Sequence, residues 1–127
     1  MASPLLIATL LELPSPDGSE LTALPASVEW LEVRADLVGD IDPDWLRNYF
    51  RGRLLYSLRN QDGPDRVERL NTAARYYDQI ELKGVTDLSE ELLQLIPPEK
   101  RLISWYGNVT ELTDLSGQFE RISSVPP

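Results

Sequence analysis

The sequence predicts an α/β fold and, within that class, a partial TIM-type (β/α)8 barrel of about five parallel βα units. Five short stretches rich in branched and aromatic apolar residues start 23 to 25 residues apart. Segments with helix-start signals lie between them, and a regular alternation of strand and helix is typical of a parallel sheet. Because eight such units need roughly 200 residues, we expect residues 1–127 to form a single, incomplete domain.

The strands are predicted from apolar stretches bounded by turn residues. We place them at residues 5–11, 28–35, 53–60, 76–83 and 101–108. The first connection, residues 13–27, reads as a loop with one helical turn. Asp42 can cap a helix that has Pro43 at its first position. Further helices are predicted within residues 63–77, 86–98 and 110–122, the second of them capped by Thr86 or Asp87.

Polar residues alternate with apolar ones along the central strands. In an open doubly wound sheet, the alternative architecture, helices cover both faces and the central strands are apolar throughout. Inward polar groups collect instead at the C-terminal mouth of a barrel. The alternation therefore favours the barrel; it involves Glu32, Arg34 and Asp36, then Ser57 and Arg59, then Gln79, Glu81 and Lys83.

Charge and composition exclude several classes of function. The net charge of −9 argues against nucleic acid or an anionic membrane as the main partner. Without cysteine or histidine there is no disulfide framework, thiolate nucleophile or Cys–His zinc site, and nothing indicates a metal or cofactor. The apolar run at residues 5–11 is too short to span a membrane and has no basic region before it. We expect a soluble, cytoplasmic protein.

The segment VEWLEVRADL, residues 28–37, poses the main functional question. As a strand it would place Glu32, Arg34 and Asp36 on one face. Three ionisable groups on an inward face are costly unless they pair with one another or bind a ligand. A structural ion-pair ladder and a ligand site both fit this pattern.

Four stretches, in order, resemble the second to fifth strands of type I 3-dehydroquinate dehydratase, the (β/α)8 lyase of the shikimate pathway. They are VEWLEVRADL, LLYSLRNQDGP, YYDQIELKG and LISWYGNVTEL. The family reads approximately E-x-R-x-D, then an Arg before an acidic-Gly-Gly turn, then D-x-E-L, then S-x-H-D-F. The resemblance covers nearly the whole chain and implies a Schiff-base dehydration of 3-dehydroquinate to 3-dehydroshikimate, a step of aromatic amino acid biosynthesis.

The resemblance implies substrate-binding roles for Glu32, Arg34 and Arg59. Asp62 corresponds approximately to the acidic residue of the following turn, although NQDGP is one residue shorter than the family's turn and has Pro64 at the second glycine. Supporting roles fall on three further residues: Asp36, Glu81 and Ser104.

The catalytic positions depart from the family pattern. Tyr106 stands where the family has its proton-shuttling histidine, and a tyrosine with its usual pKa of about 10 is a poor base at pH 7. The chain stops at SSVPP, before the sixth strand that would carry the Schiff-base lysine. Lys83 could supply an amine instead, but a solvated strand-end lysine is the commoner outcome. We therefore expect a family fragment that is inactive alone, one origin being a fusion with shikimate dehydrogenase.

The alternative is a degenerate domain without lyase activity, which binds small carboxylates or serves as an interaction domain. The expected ligand is a small carboxylate similar to 3-dehydroquinate, held by guanidinium groups. Five barrel strands also leave the first and last strands as edges, and exposed edges pair with other strands. We therefore expect self-association, or a companion segment that completes the barrel.

Overall fold

The computed structural model describes residues 5–84 and 86–104. They form one sheet in which five strands lie in sequence order and every neighbouring pair is parallel. The predicted α/β fold with adjacent parallel strands is confirmed, and it agrees with a partial TIM-type barrel. The strands are β1 (Ile7–Leu10), β2 (Trp30–Arg34), β3 (Arg53–Ser57), β4 (Gln79–Lys83) and β5 (Arg101–Ser104).

Helices connect the strands, as the alternation predicted. They are α1 (Ser19–Thr22), α2 (Ala35–Val38), α3 (Pro43–Arg47), α4 (Arg66–Ala73) and α5 (Glu90–Leu95), followed by a short 3-10 turn, Pro98–Lys100. The predicted helix within residues 110–122 and the end of the fifth predicted strand lie outside the described residues.

Two local predictions at helix starts have different outcomes. Asp42 caps α3 as predicted, because its side chain accepts a hydrogen bond from the Asp44 backbone N–H, and Pro43 follows at the first helical position. The cap predicted for α5 at Thr86 or Asp87 is wrong. Ser89 caps this helix by accepting from the Leu92 N–H. The Asp87 carboxylate is instead bound by a buried arginine, so it is not available to the helix.

The end of β2 also differs from the prediction. The strand stops at Arg34, and α2 begins at the next residue without a loop. Asp36 therefore lies in the first turn of a helix, and its predicted place on the strand, two residues beyond Arg34, is wrong. The Asp36 carboxylate nevertheless pairs with the Arg34 guanidinium from the helical turn.

The apolar core lies between the sheet and the helices. Alternate strand residues that face it are at most 1% exposed: Leu31, Val33, Leu54, Tyr56, Ile80 and Leu82. They pack with helix residues that include Leu46, Leu70 and Leu92. Because side chains alternate along a strand, Glu32 and Glu81 point to the opposite face, which corresponds to the inside of a barrel.

Strands β1 and β5 are the edges of the sheet in the described part of the chain. Apolar side chains in and around β1 are strongly exposed, with Leu5 at 55%, Ile7 at 46% and Leu13 at 71%. An exposed edge with apolar side chains is a surface on which another strand can add. No helix within residues 5–84 or 86–104 is long and apolar enough to cross a membrane.

Candidate ligand site

Glu32 is the centre of a polar cluster at the carboxyl ends of the first strands. Its side chain is 7% exposed and accepts hydrogen bonds from Thr9 Oγ1 at 2.9 Å, Ser57 Oγ at 2.7 Å and Arg59 Nη2 at 3.1 Å. Thr9 lies directly opposite Glu32 in the register of β1 and β2. Three donors, one of them a cation, satisfy this buried carboxylate. Glu32 and Arg59 thus form an ion pair.

Arg59 joins two carboxylates that come from different strands. Its Nη2 contacts Glu32 on β2, and its Nε donates to Glu81 Oε1 on β4 at 3.3 Å. Glu81 is 4% exposed, whereas the Arg59 side chain is 36% exposed. The guanidinium therefore bridges two buried carboxylates from a side chain that is itself partly exposed.

A second ion pair lies beside this bridge. Arg34 donates from Nε and Nη2 to the two Asp36 oxygens at 3.0 and 2.8 Å, a bidentate arrangement. These hydrogen bonds lower the pKa of Asp36 and raise the pKa of Arg34. The nearby charges of Arg59 and Glu32 also act on Arg34, the first lowering its pKa and the second raising it. The two ion pairs thus belong to one electrostatic cluster.

We expect Asp36→Asn to destabilise the protein by about 1.5 kcal/mol at pH 7, because it removes charge-assisted hydrogen bonds. The pKa of Asp36 is lowered in the folded protein. Its stabilising contribution is therefore complete above the unfolded-state pKa of about 3.9 and is lost as the pH falls through the folded-state pKa. Urea unfolding at pH 7 and below pH 3.9 measures this.

The difference between wild type and Asp36→Asn should shrink in acid. Asp44→Asn, at an exposed position on α3, is the control and should change stability little at either pH. An equal loss for Asp36→Asn at both pH values would contradict the electrostatic interpretation.

Three other residues of the predicted site remain. Asp62 has a 75% exposed side chain and contacts Lys83 Nζ at 3.4 Å, and the described residues give it no hydrogen bond to Glu32, Arg34 or Arg59. Ser104 Oγ donates to the Leu82 carbonyl at 3.4 Å, a contact with the backbone. Tyr106 lies outside the described residues.

Thr9, Arg66 and Asp87 were not predicted as site residues. Thr9 is the polar residue of an otherwise apolar stretch. This isolated polar position in a strand is a signal from which Thr9 could have been predicted to face the polar cluster. Arg66, at 7% exposure, donates from Nε and Nη2 to the two Asp87 oxygens at 2.8 and 2.6 Å. No local pattern marks this pair, because it forms only where the segments after β3 and β4 meet.

The cluster holds three carboxylates and two guanidinium groups, so its formal charge is −1. The residues are Glu32, Asp36 and Glu81, with Arg34 and Arg59. A ligand carboxylate could share the guanidinium groups, and ligand hydroxyls could donate to the protein carboxylates. The arrangement is suited to a ligand that carries both. Within the described ranges, no group of three acidic residues is placed to hold a metal ion.

Comparisons with known proteins support the fold. No family model and no curated protein matches the chain. The crystal structure of the 3-dehydroquinate dehydratase from Aquifex aeolicus VF5 is similar, with a TM-score of 0.61 and 14% sequence identity. The match covers 96% of this chain and 65% of that chain, so this chain spans less than two thirds of its length. At this identity the likeness is one of fold, and it agrees with the partial barrel.

Proposed function

We propose that this chain forms part of a barrel related to 3-dehydroquinate dehydratase and binds a small hydroxy-carboxylate, similar to 3-dehydroquinate, at the carboxyl ends of its strands. The observation that carries the proposal is the position of Arg59 between Glu32 and Glu81, beside Arg34. Ligand sites of parallel α/β barrels lie at this end of the strands.

The proposed contacts follow from the chemistry of the cluster. Arg34 and Arg59 bind the ligand carboxylate, and Glu32 accepts hydrogen bonds from ligand hydroxyls. Asp62 contributes from the exposed turn after β3. Asp36, Glu81 and Ser104 support these groups. Because each guanidinium is already paired with a protein carboxylate, the ligand must share it, and we expect a Kd on the order of 1 mM.

We propose that the chain alone does not dehydrate its ligand. It contains no histidine, and Tyr106 at the corresponding position is a poor base at neutral pH. A positioned acid or base contributes about 10² to 10⁴ to the rate of such a reaction. Lys83, which could supply an amine, forms an ion pair with the exposed Asp62.

Isothermal calorimetry with 3-dehydroquinate tests the proposed site. We expect wild type to bind weakly and Arg34→Ala and Arg59→Ala each to weaken binding about ten-fold or more, since a hydrogen bond to a charged group is worth about 1.5–3 kcal/mol. Arg53→Ala is the matched control. Arg53 packs over the Trp30 ring at the amino end of β3, so its loss should leave affinity unchanged.

Equal affinity in all four proteins would refute the site. The alternative function is an interaction domain that uses its exposed β1 edge, and it predicts a different calorimetric result. Injection of the ligand then gives no binding heat. Dilution of the protein instead gives heats that depend on protein concentration, because self-associated chains separate on injection.

A further inference from the structure

We propose that the buried Arg66–Asp87 pair is a positioning device, which fixes the spacing between the ends of β3 and β4 and thereby places Arg59 between Glu32 and Glu81. The positioning of Arg59 is inferred from contacts within the chain itself. The effect of this positioning on ligand affinity rests on the proposed function.

β3 and β4 pair with each other over a short length. Among the described residues these strands pair at two positions, Leu55 with Gln79 and Tyr56 with Ile80. β2 and β3 pair at five positions, and β1–β2 and β4–β5 at four each. The pairing thus stops at Tyr56 and Ile80, before the strands end at Ser57 and Lys83. The strand ends that lead to Arg59 and carry Glu81 lie beyond this pairing.

The Arg66–Asp87 pair connects the ends of these two strands. Arg66 Nη1 donates to the Leu58 carbonyl and, at 2.7 Å, to the Gln61 carbonyl, both just after β3. Asp87 Oδ2 accepts from the Lys83 backbone N–H at 2.7 Å, at the end of β4. With side chains 8% and 4% exposed, the pair links the two backbones through buried, charge-assisted hydrogen bonds.

The backbone groups that the Arg66–Asp87 pair binds lie close to Arg59 and Glu81 in the sequence. Leu58 is the residue before Arg59, and Lys83 lies two residues after Glu81. The Arg59 contacts at 3.1 and 3.3 Å are near the upper limit for good N–H···O geometry, so a slightly wider gap between the strand ends would break them. The spacing that the pair sets is therefore the spacing that the Arg59 bridge requires.

The opposite end of the same two strands offers a matched control. There Arg47 on α3 donates to the Tyr76 carbonyl at 2.7 Å and pairs with Asp78 at 3.4 Å. Asp78 accepts from the Leu54 N–H at 2.7 Å. This pair also connects side chains with strand backbone, but it is more than one third exposed and lies far from Arg59 along the strands.

The experiment measures the heteronuclear NOE of the Arg59 Nε–H in the ligand-free, ¹⁵N-labelled chain, with the signal identified by its loss in Arg59→Lys. This NOE reports motion on the picosecond to nanosecond timescale. In Asp87→Asn and Arg66→Met we expect it to fall by at least half, because Arg59 no longer holds both carboxylates. Arg47→Met should leave it unchanged.

A folded Asp87→Asn or Arg66→Met variant with a wild-type Arg59 NOE would overturn the proposal. If both variants unfold, the wild-type protein decides. Its Lys83 amide should exchange with solvent at least 100-fold more slowly than an unprotected amide, and an unprotected Lys83 would overturn the proposal.

If the ligand site is also correct, folded Asp87→Asn should bind 3-dehydroquinate ten-fold more weakly than wild type does. Absence of ligand binding in wild type would refute that site and leave the NOE result valid.

Discussion

Asp87→Ala should lower the free energy of unfolding by about 3–5 kcal/mol, the largest effect that we expect from one substitution in this chain. The change leaves the Arg66 guanidinium buried without its bidentate partner. It also removes the acceptor of the Lys83 backbone N–H. Breaking a buried pair costs more than the pair itself contributes, since an uncompensated charge stays in the interior. Urea unfolding at pH 7 measures the loss.

A double variant sharpens this prediction. Replacing a buried ion pair by apolar residues of similar volume is often neutral or stabilising. Arg66→Met combined with Asp87→Leu should nevertheless stay destabilised, because this pair also satisfies backbone groups at Leu58, Gln61 and Lys83. Each buried backbone group left without a partner costs about 1–3 kcal/mol.

The control for both variants is Arg47→Met, at the exposed pair on the other end of β3 and β4. We expect it to change stability by no more than about 1 kcal/mol. Full recovery of wild-type stability in the double variant would show that the backbone contacts of the Arg66–Asp87 pair contribute little.

The strands could be predicted because their signals are local. Each is rich in branched or aromatic apolar residues, and the five stretches recur at a nearly constant spacing. Strand ends were less predictable. Arg34 ends β2 because the chain enters α2 at once, and Gly39, with φ of 84°, ends that helix in a conformation that other residues rarely adopt. The predicted strand ended at residue 35, and the alternation of charges placed Asp36 on the same face as Glu32 and Arg34, since such an alternation does not distinguish a strand from one helical turn.

The choice of cap at α5 depended on a distant residue. Thr86, Asp87 and Ser89 are all suitable cap residues. Asp87 is taken by Arg66, which lies 21 positions earlier in the sequence, and the cap passes to Ser89. Local propensity cannot rank these candidates, because the deciding interaction is a tertiary one.

The same distinction separates the predicted and unpredicted parts of the site. Glu32 and Glu81 lie on strands, and Arg59 follows the end of β3 with the same parity as Ser57, so their convergence on one face could be predicted before the structure. Arg66 is the first residue of α4 and Asp87 lies in a loop, so strand parity does not relate these two side chains. Their proposed role follows from the short pairing between β3 and β4, which the sequence does not reveal.

Glu32→Gln should destabilise the protein by about 2–3 kcal/mol, although the side chain keeps its size. Glu32 accepts from Thr9 at one oxygen and from Ser57 and Arg59 at the other. An amide can keep its oxygen toward Ser57 and Arg59, and the Thr9 hydroxyl can rotate to accept from the new NH₂ group. The loss therefore comes mainly from the charge-assisted bond to Arg59.

Urea unfolding of wild type and Glu32→Gln measures this loss. Glu29→Gln is the matched control, because Glu29 is exposed just before the same strand, and it should change stability by less than about 0.5 kcal/mol.

A double-mutant cycle of Glu32→Gln with Arg59→Met isolates the pairwise energy between the two side chains. We expect a coupling of about 1–2 kcal/mol, reduced because Arg59 is partly exposed and keeps Glu81 as a partner. Additive effects of the two substitutions would show that Glu32 and Arg59 are neighbours without a stabilising interaction, and would remove the contact on which the proposed ligand site depends.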